Sequence, residues 1–252
     1  VHSVGLRGVG CGMHGRGLVD PADHLSPLNP ASHPELLKAL ADGLVSAKFD
    51  LRWLHRTIAS SRTYQTSCQL TDANRADKRN YAYFYLRRLS AEVLLDAIND
   101  STGTVETYPA KLYLPANARA LQVAGTTRVE DQTAAIDFAM KVFGRPSRNP
   151  QVQCDCERDD GTTMVQTLYI ANHPRVREKI AASEGRVARL LKDIPDQRRQ
   201  IEELYLWTVS RAPTTEQLAA CMKYLKESPT QKKGLEDVLW SLLNTREFLL
   251  NH

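Results

Sequence analysis

The sequence of 252 residues contains no run of about 18 apolar residues, the length a helix needs to cross a bilayer, so no membrane span is expected. A leader peptide is not visible either, because the first residues are rich in glycine and lack a continuous apolar stretch. The chain opens on Val1 rather than Met, which reads as a processed product or a piece of something longer. Cysteine is sparse: Cys11, Cys68, Cys154, Cys156 and Cys221 are too few and too scattered for a disulfide scaffold, and they do not fix the compartment. Charge of one sign is also lacking. Thirty-three basic against 29 acidic residues leave a net charge of +4, too mild for a dedicated nucleic-acid surface, so nucleic acid is not expected as a partner.

Several catalytic signatures are missing as well. There is no Gly-x-Ser-x-Gly elbow to support Ser-His-Asp chemistry. No Cys-x-x-Cys-His attaches haem. Glycines crowd the stretch from Gly5 to Gly17, but it ends Gly15-Arg16-Gly17-Leu18 instead of the Gly-Lys-Ser/Thr of a phosphate loop. No strand signal precedes it, so residues 1–14 read as a flexible lead-in.

What is present has helical periodicity. A polar loop punctuated by Pro21, Pro27, Pro30 and Pro34 leads to a helix start, with Ser32 as the expected cap, Glu35 reciprocating and Pro34 in the first turn. Leu36, Leu37, Leu40, Leu44 and Val45 recur at helical spacing, and Asp50 is placed to cap a second helix with Leu51, Leu54 and Ile58 on its apolar face. A packed hairpin of helices 34–47 and 51–60 is predicted. Residues 74–86 and the two arginines that follow, Arg87 and Arg88, interleave Lys78 and Arg79 with Tyr81, Tyr83, Phe84 and Tyr85. Such a mixture can stack bases or sugars, but Tyr81, Phe84 and Tyr85 at i, i+3, i+4 are read as the buried face of a helix. Ser90 is expected to cap a helix over 91–100. Between Ser101 and Thr127 the signal fades, and 111–114 and 120–124 read as short strands or extended loop. Further helices are predicted over 131–143 (stopped by Gly144), from 162 or 163 to 172, from Pro174 onward, and over 197–209, 215–227 and 235–244. The expected fold is therefore mainly α, a multi-helix domain from 15 to 252 with an irregular or β-containing insertion near 101–127 and a possible subdivision near 145–161.

Six segments taken together resemble a known family. They are Gly15-Arg16-Gly17-Leu18-Val19-Asp20-Pro21, Asn29 to Leu37, Tyr64-Gln65-Thr66-Ser67, Arg87-Arg88-Leu89-Ser90-Ala91-Glu92, Cys154-Asp155-Cys156-Glu157-Arg158, and Leu242 to Phe248. In this order and spacing they resemble the planctomycete-type domain of unknown function 1553. That family forms the C-terminal part of exported proteins, often behind a cytochrome-c-like module and a second uncharacterised domain. The resemblance implies a periplasmic or cell-surface protein whose partners include other domains of a longer precursor. It supplies no catalytic residues. This chain departs from the family's opening Asn-Arg-Val-Trp-like helix, having His2-Ser3-Val4-Gly5 and then glycines.

The sharpest local concentration of chemistry is Cys154, Asp155, Cys156, Glu157 and Arg158. Two thiolates with acidic neighbours and His173 downstream can begin a zinc or iron site, although a second Cys pair is missing. The competing reading is structural thiols, or a disulfide to Cys68 or Cys221. Buried inward, the segment needs ionic partners. Arg16 and Arg88 are candidates for its acids, and Asp20 or Glu92 for Arg158. His24 and His33 flank another loop holding Asp20, Asp23 and Glu35. His55, beside Trp53 and Leu54, reads as a partly buried packing residue.

Two functions are compatible with these residues. One is a non-catalytic binding or assembly module that engages a glycan or a protein and needs no cofactor. The alternative is metal-assisted hydrolysis or redox chemistry around Cys154 and Cys156.

Overall fold

The computed structural model describes residues 17–19, 28–77, 79–123, 134–145 and 164–251. Among them are eleven α-helices, two single-turn 3-10 helices and one two-stranded ladder of Arg87–Arg88 (β1) with Leu250–Asn251 (β2). The fold is mainly α, as periodicity indicated. No described helix is long and apolar enough to cross a membrane. The chain divides into two compact units, with the change at Arg87/Arg88. The glycine-rich residues 1–14 and most of 145–161 lie outside the described residues.

The first unit is built on a helical hairpin of α1 (Pro34–Ser46) and α2 (Leu51–Ala59). Pro34 opens α1, where its missing N–H costs no hydrogen bond. The cap, however, is not Ser32. His33 occupies the N-cap position with no side-chain cap, and the Ser32 hydroxyl instead donates to the Leu18 carbonyl at 3.2 Å. Asp50 caps α2 as expected, its carboxylate accepting the Arg52 N–H at 2.8 Å. Leu44, Leu54 and Ile58 form the hairpin core with Leu37, Leu40 and Trp53 packed against it, while Leu36, Val45 and Leu51 face outward. Gly43 lies directly beneath the Trp53 indole, where a Cβ would collide with the ring. His55 is exposed rather than packed, its Nδ1 bonded to the Leu51 carbonyl.

The described residues of 74–86 form no helix. The Asp77 carboxylate accepts the N–H groups of Arg79, Asn80 and Ala82, which fixes a tight turn in place of a helical ladder. Tyr81 then takes a positive φ of 56°. Only Phe84 of the aromatic set is buried, with Tyr64 edge-on to it.

The second unit holds nine described helices, two of them central, α3 (Ala91–Thr102) and α8 (Gln197–Val209). Along α8 the buried positions Gln200, Ile201, Leu204, Tyr205, Thr208 and Val209 form one stripe at helical spacing. The others are α4 (Ala134–Val142), α5 (Met164–Asn172), α6 (Pro174–Ile180), α7 (Arg186–Asp193), α9 (Thr215–Glu227), α10 (Gln231–Leu243) and α11 (Arg246–Leu249). Leu94, Ile98, Ile136, Met140, Ile170, Ile201, Leu204, Leu235, Leu239 and Leu243 are fully buried in the common core. Helix α10 begins four residues before its predicted start. Thr230 caps it, accepting the Lys233 N–H, and the first turn is lysine- and glycine-rich, so it carries no apolar signal. Ser90 sits at the N-cap of α3 without a side-chain hydrogen bond.

The stretch after α3 is irregular but contains no strand over residues 101–123. Its two candidate strands are instead single 3-10 turns, Ala110–Leu112 and Ala120–Gln122. Pro109 and Pro115 flank the first. The second is held because the Asp96 carboxylate takes the N–H groups of Ala120 and Leu121.

Candidate functional site

Most of the residues singled out from sequence, Cys154, Asp155, Cys156, Glu157, Arg158 and Asp20, lie outside the described residues, as do Arg16 and His24. Arg88 and His173 do not. Arg88 donates from Nη2 to the Phe143 carbonyl at 3.0 Å, which ties β1 to the end of α4. His173 is the N-cap of α6, its Nδ1 accepting the Arg175 N–H. The ring stacks on Tyr169 at 4.3 Å between centroids and faces Phe138 at 5.7 Å. His173 thus serves as a helix cap and a stacking partner. Among the described residues no three His, Cys, Asp or Glu side chains converge as ligands, and Cys68 and Cys221 are free thiols.

A row of buried polar and charged side chains runs along one face of α3, through Glu92, Asp96 and Asn99 at i, i+4, i+7. Glu92 meets Arg145, Oε1 to Nε 3.4 Å, with both side chains almost wholly enclosed. Asp96 binds the second 3-10 turn and is approached by Arg119 Nε at 3.5 Å. Asn99 accepts Lys179 Nζ at 2.7 Å. The same ammonium reaches Glu106 Oε1 at 2.9 Å and Thr104 Oγ1 at 3.3 Å, while Arg175 closes on Glu106 Oε2 at 2.7 Å. All three ammonium protons and both carboxylate oxygens are thereby used. Such a set fixes the loop after α3 and the start of α6 to the core. Tyr108 stands beside it with its hydroxyl buried and unbonded among the described residues. Burial pushes that phenol far up, with Asp96 and Glu106 adding to the effect.

The segment Asn244 to Phe248 is also structural. Thr245 caps α11 by accepting the Phe248 N–H. Glu247 receives Arg211 in a bidentate pair, 2.6 and 2.8 Å, and Phe248 is buried.

A hollow open to a ligand lies elsewhere, beside α10. A groove of about 610 Å³ lies between α9 and α10, lined by the aromatic side chains of Tyr205, Tyr224 and Trp240 and the polar ones of Asp237, Ser241 and Thr245. That volume falls within the range of small-molecule sites, roughly 300–1,000 Å³. The rings are held in place. Trp240 donates Nε1–H to the Ala171 carbonyl at 3.0 Å, and Tyr224 donates its hydroxyl to Asp237 Oδ2 at 2.9 Å. Both remain in contact with solvent, 37% and 46% exposed.

At the groove floor Tyr205 lies beside Cys221. Burial pushes the Cys221 thiol up, so it stays protonated near neutral pH, and burial pushes the Tyr205 phenol up to about 12. Neither is an activated nucleophile. The arrangement can hold a ring against aromatic faces and bond to its hydroxyls. Sequence reasoning read α10 only for its buried face. The available signal was Trp240, an indole on the face where neighbouring positions are polar.

The PSD1 family model, described as a protein of unknown function (DUF1553), matches residues 12–225. No curated protein matches the chain, and no solved structure does. The match spans most of both units, and the chain therefore belongs to the PSD1 (DUF1553) family.

Proposed function

We propose that this chain is a non-catalytic binding module, within an exported multidomain bacterial protein, and that its ligand is a glycan seated in the groove between α9 and α10. The observation that carries the reading is the fixed pair of partly exposed rings, Tyr224 and Trp240, beside Asp237 and Ser241. Sugars present C–H faces that pack on aromatic rings and hydroxyls that need hydrogen-bond partners, and the groove supplies both. Rings already immobilised by hydrogen bonds lose little conformational entropy on binding. The half-buried thiol and the buried phenol at the groove floor, both held protonated, fit binding better than group transfer.

The test is calorimetric titration of the full chain with a panel of oligosaccharides, with Trp240→Ala alongside. Saturable binding that Trp240→Ala abolishes supports the reading. A panel without binding, combined with retention of a protein partner by both forms, would move the function to a protein interface elsewhere.

A further inference from the structure

The groove continues past Trp240. A second hollow of about 400 Å³ shares Asp237 and Trp240 with the first and extends to Arg177 on α6. Its charges are unevenly matched. Lys233 Nζ pairs with Asp237 at 2.8 Å, and Glu236 has Lys232 at 3.8 Å. Asp237 is further engaged by the Tyr224 hydroxyl. Both acids of this hollow thus have cationic partners already. Arg177 has none: its exposed side chain makes no hydrogen bond or ion pair among the described residues. The unmatched charge at this end of the groove is a guanidinium, a planar fork that recognises a carboxylate through two parallel hydrogen bonds.

We propose, building on the glycan reading of the groove, that the ligand is an acidic glycan, with a uronate carboxylate on Arg177 next to the sugar ring that packs on Trp240. The aromatic half of the groove then supplies affinity for the sugar face, and the α6 end selects for charge. A neutral chain fills the first half equally well but leaves Arg177 in water. A lysine at this position would provide charge without the fork, so Arg177→Lys separates simple attraction from bidentate recognition.

The experiment compares a uronic-acid oligosaccharide with its carboxyl-reduced neutral counterpart of the same length, and with a sulfated neutral chain. Each is titrated against the wild-type full chain, Arg177→Ala, Arg177→Lys and Trp240→Ala, at low and at high salt. Because Arg177 is exposed, its variants should keep the wild-type melting temperature, and this is checked first. The expected result is about tenfold tighter binding of the uronate at low salt, an advantage lost in Arg177→Ala, only partly kept by Arg177→Lys, and reduced by salt. Trp240→Ala should weaken acidic and neutral chains alike. Equal affinity for acidic and neutral chains would overturn the proposal while leaving the groove a glycan site. So would an Arg177→Ala variant that binds both equally less well, or a sulfated chain that binds more tightly than the uronate. If none of the three saccharides binds the wild type, both the proposal and the glycan reading beneath it fall.

Discussion

Lys179 and Glu106 form an ion pair in the interior of the second unit, with Nζ 2.9 Å from Oε1 and side-chain exposures of only 9% and 2%. The pair is tolerable there because neither partner has an unused polar atom. Asn99 and Thr104 take the remaining ammonium protons, and Arg175 takes the second carboxylate oxygen.

Glu106→Gln should therefore be costly. It leaves the Lys179 ammonium buried without a counter-charge, and a lone buried charge destabilises by about 3–5 kcal/mol. Urea unfolding followed by circular dichroism would show the midpoint falling. Arg198→Ala, which breaks an exposed pair with Glu202 one turn along α8, should leave the midpoint nearly unchanged. Equal effects in the two variants would contradict the account of the buried ion pair.

Asp96→Ala removes the acceptor for two backbone N–H groups, those of Ala120 and Leu121. Ala120 is fully buried, so its N–H has no access to water, and we expect a loss of about 2–3 kcal/mol. Local opening should follow. Limited proteolysis ought to cut within residues 104–122 faster in the variant than in the wild type.

Gly103 ends α3 with φ +66°, and a Cβ there would sit 3.0 Å from the backbone nitrogen of Arg186. Backbone cannot swing aside as a flexible side chain can. Gly103→Ala combines left-handed strain with this contact and should cost about 1–3 kcal/mol, read as a lower melting temperature. A melting curve identical to wild type would mean that α3 and the start of α7 do not meet as described.

Alkaline pH should unfold the second unit early. The Tyr169 and Tyr205 phenols are pushed up to about 12, first of all by burial, from an ordinary value of 10. Between those values the unfolded chain releases protons that the folded chain retains, so stability is full below about pH 10 and falls as pH rises toward 12. Thermal melts from pH 8 to 12 check the window, and Tyr205→Phe should flatten part of the slope.

Legibility in the sequence followed the range of each interaction. Helices α8 and α9 match their predicted spans because their apolar periods and caps, Asp196 and Thr214, act within a turn or two. Residues 74–86 were misread because Tyr81, Phe84 and Tyr85 imitate a helical period, while Asp77 captures three backbone N–H groups and stops the helix. The short helix α7 carried too few apolar positions to be picked out, since it buries only Val187 and Leu190.

By itself, then, the sequence determined the helical class, the first hairpin and the family resemblance. Each of these rests on periodicity, capping and local motif order, which are written within a few residues. Only the tertiary structure decided which polar groups meet. Glu92, Asp96 and Asn99 share a face by helical geometry, but their partners Arg145, Ala120 and Lys179 come from separate elements. In the same way Trp240 and Arg177 come to share a hollow only because α6 packs against α10. That juxtaposition depends on how apolar faces fit together in three dimensions, and no local pattern encodes it.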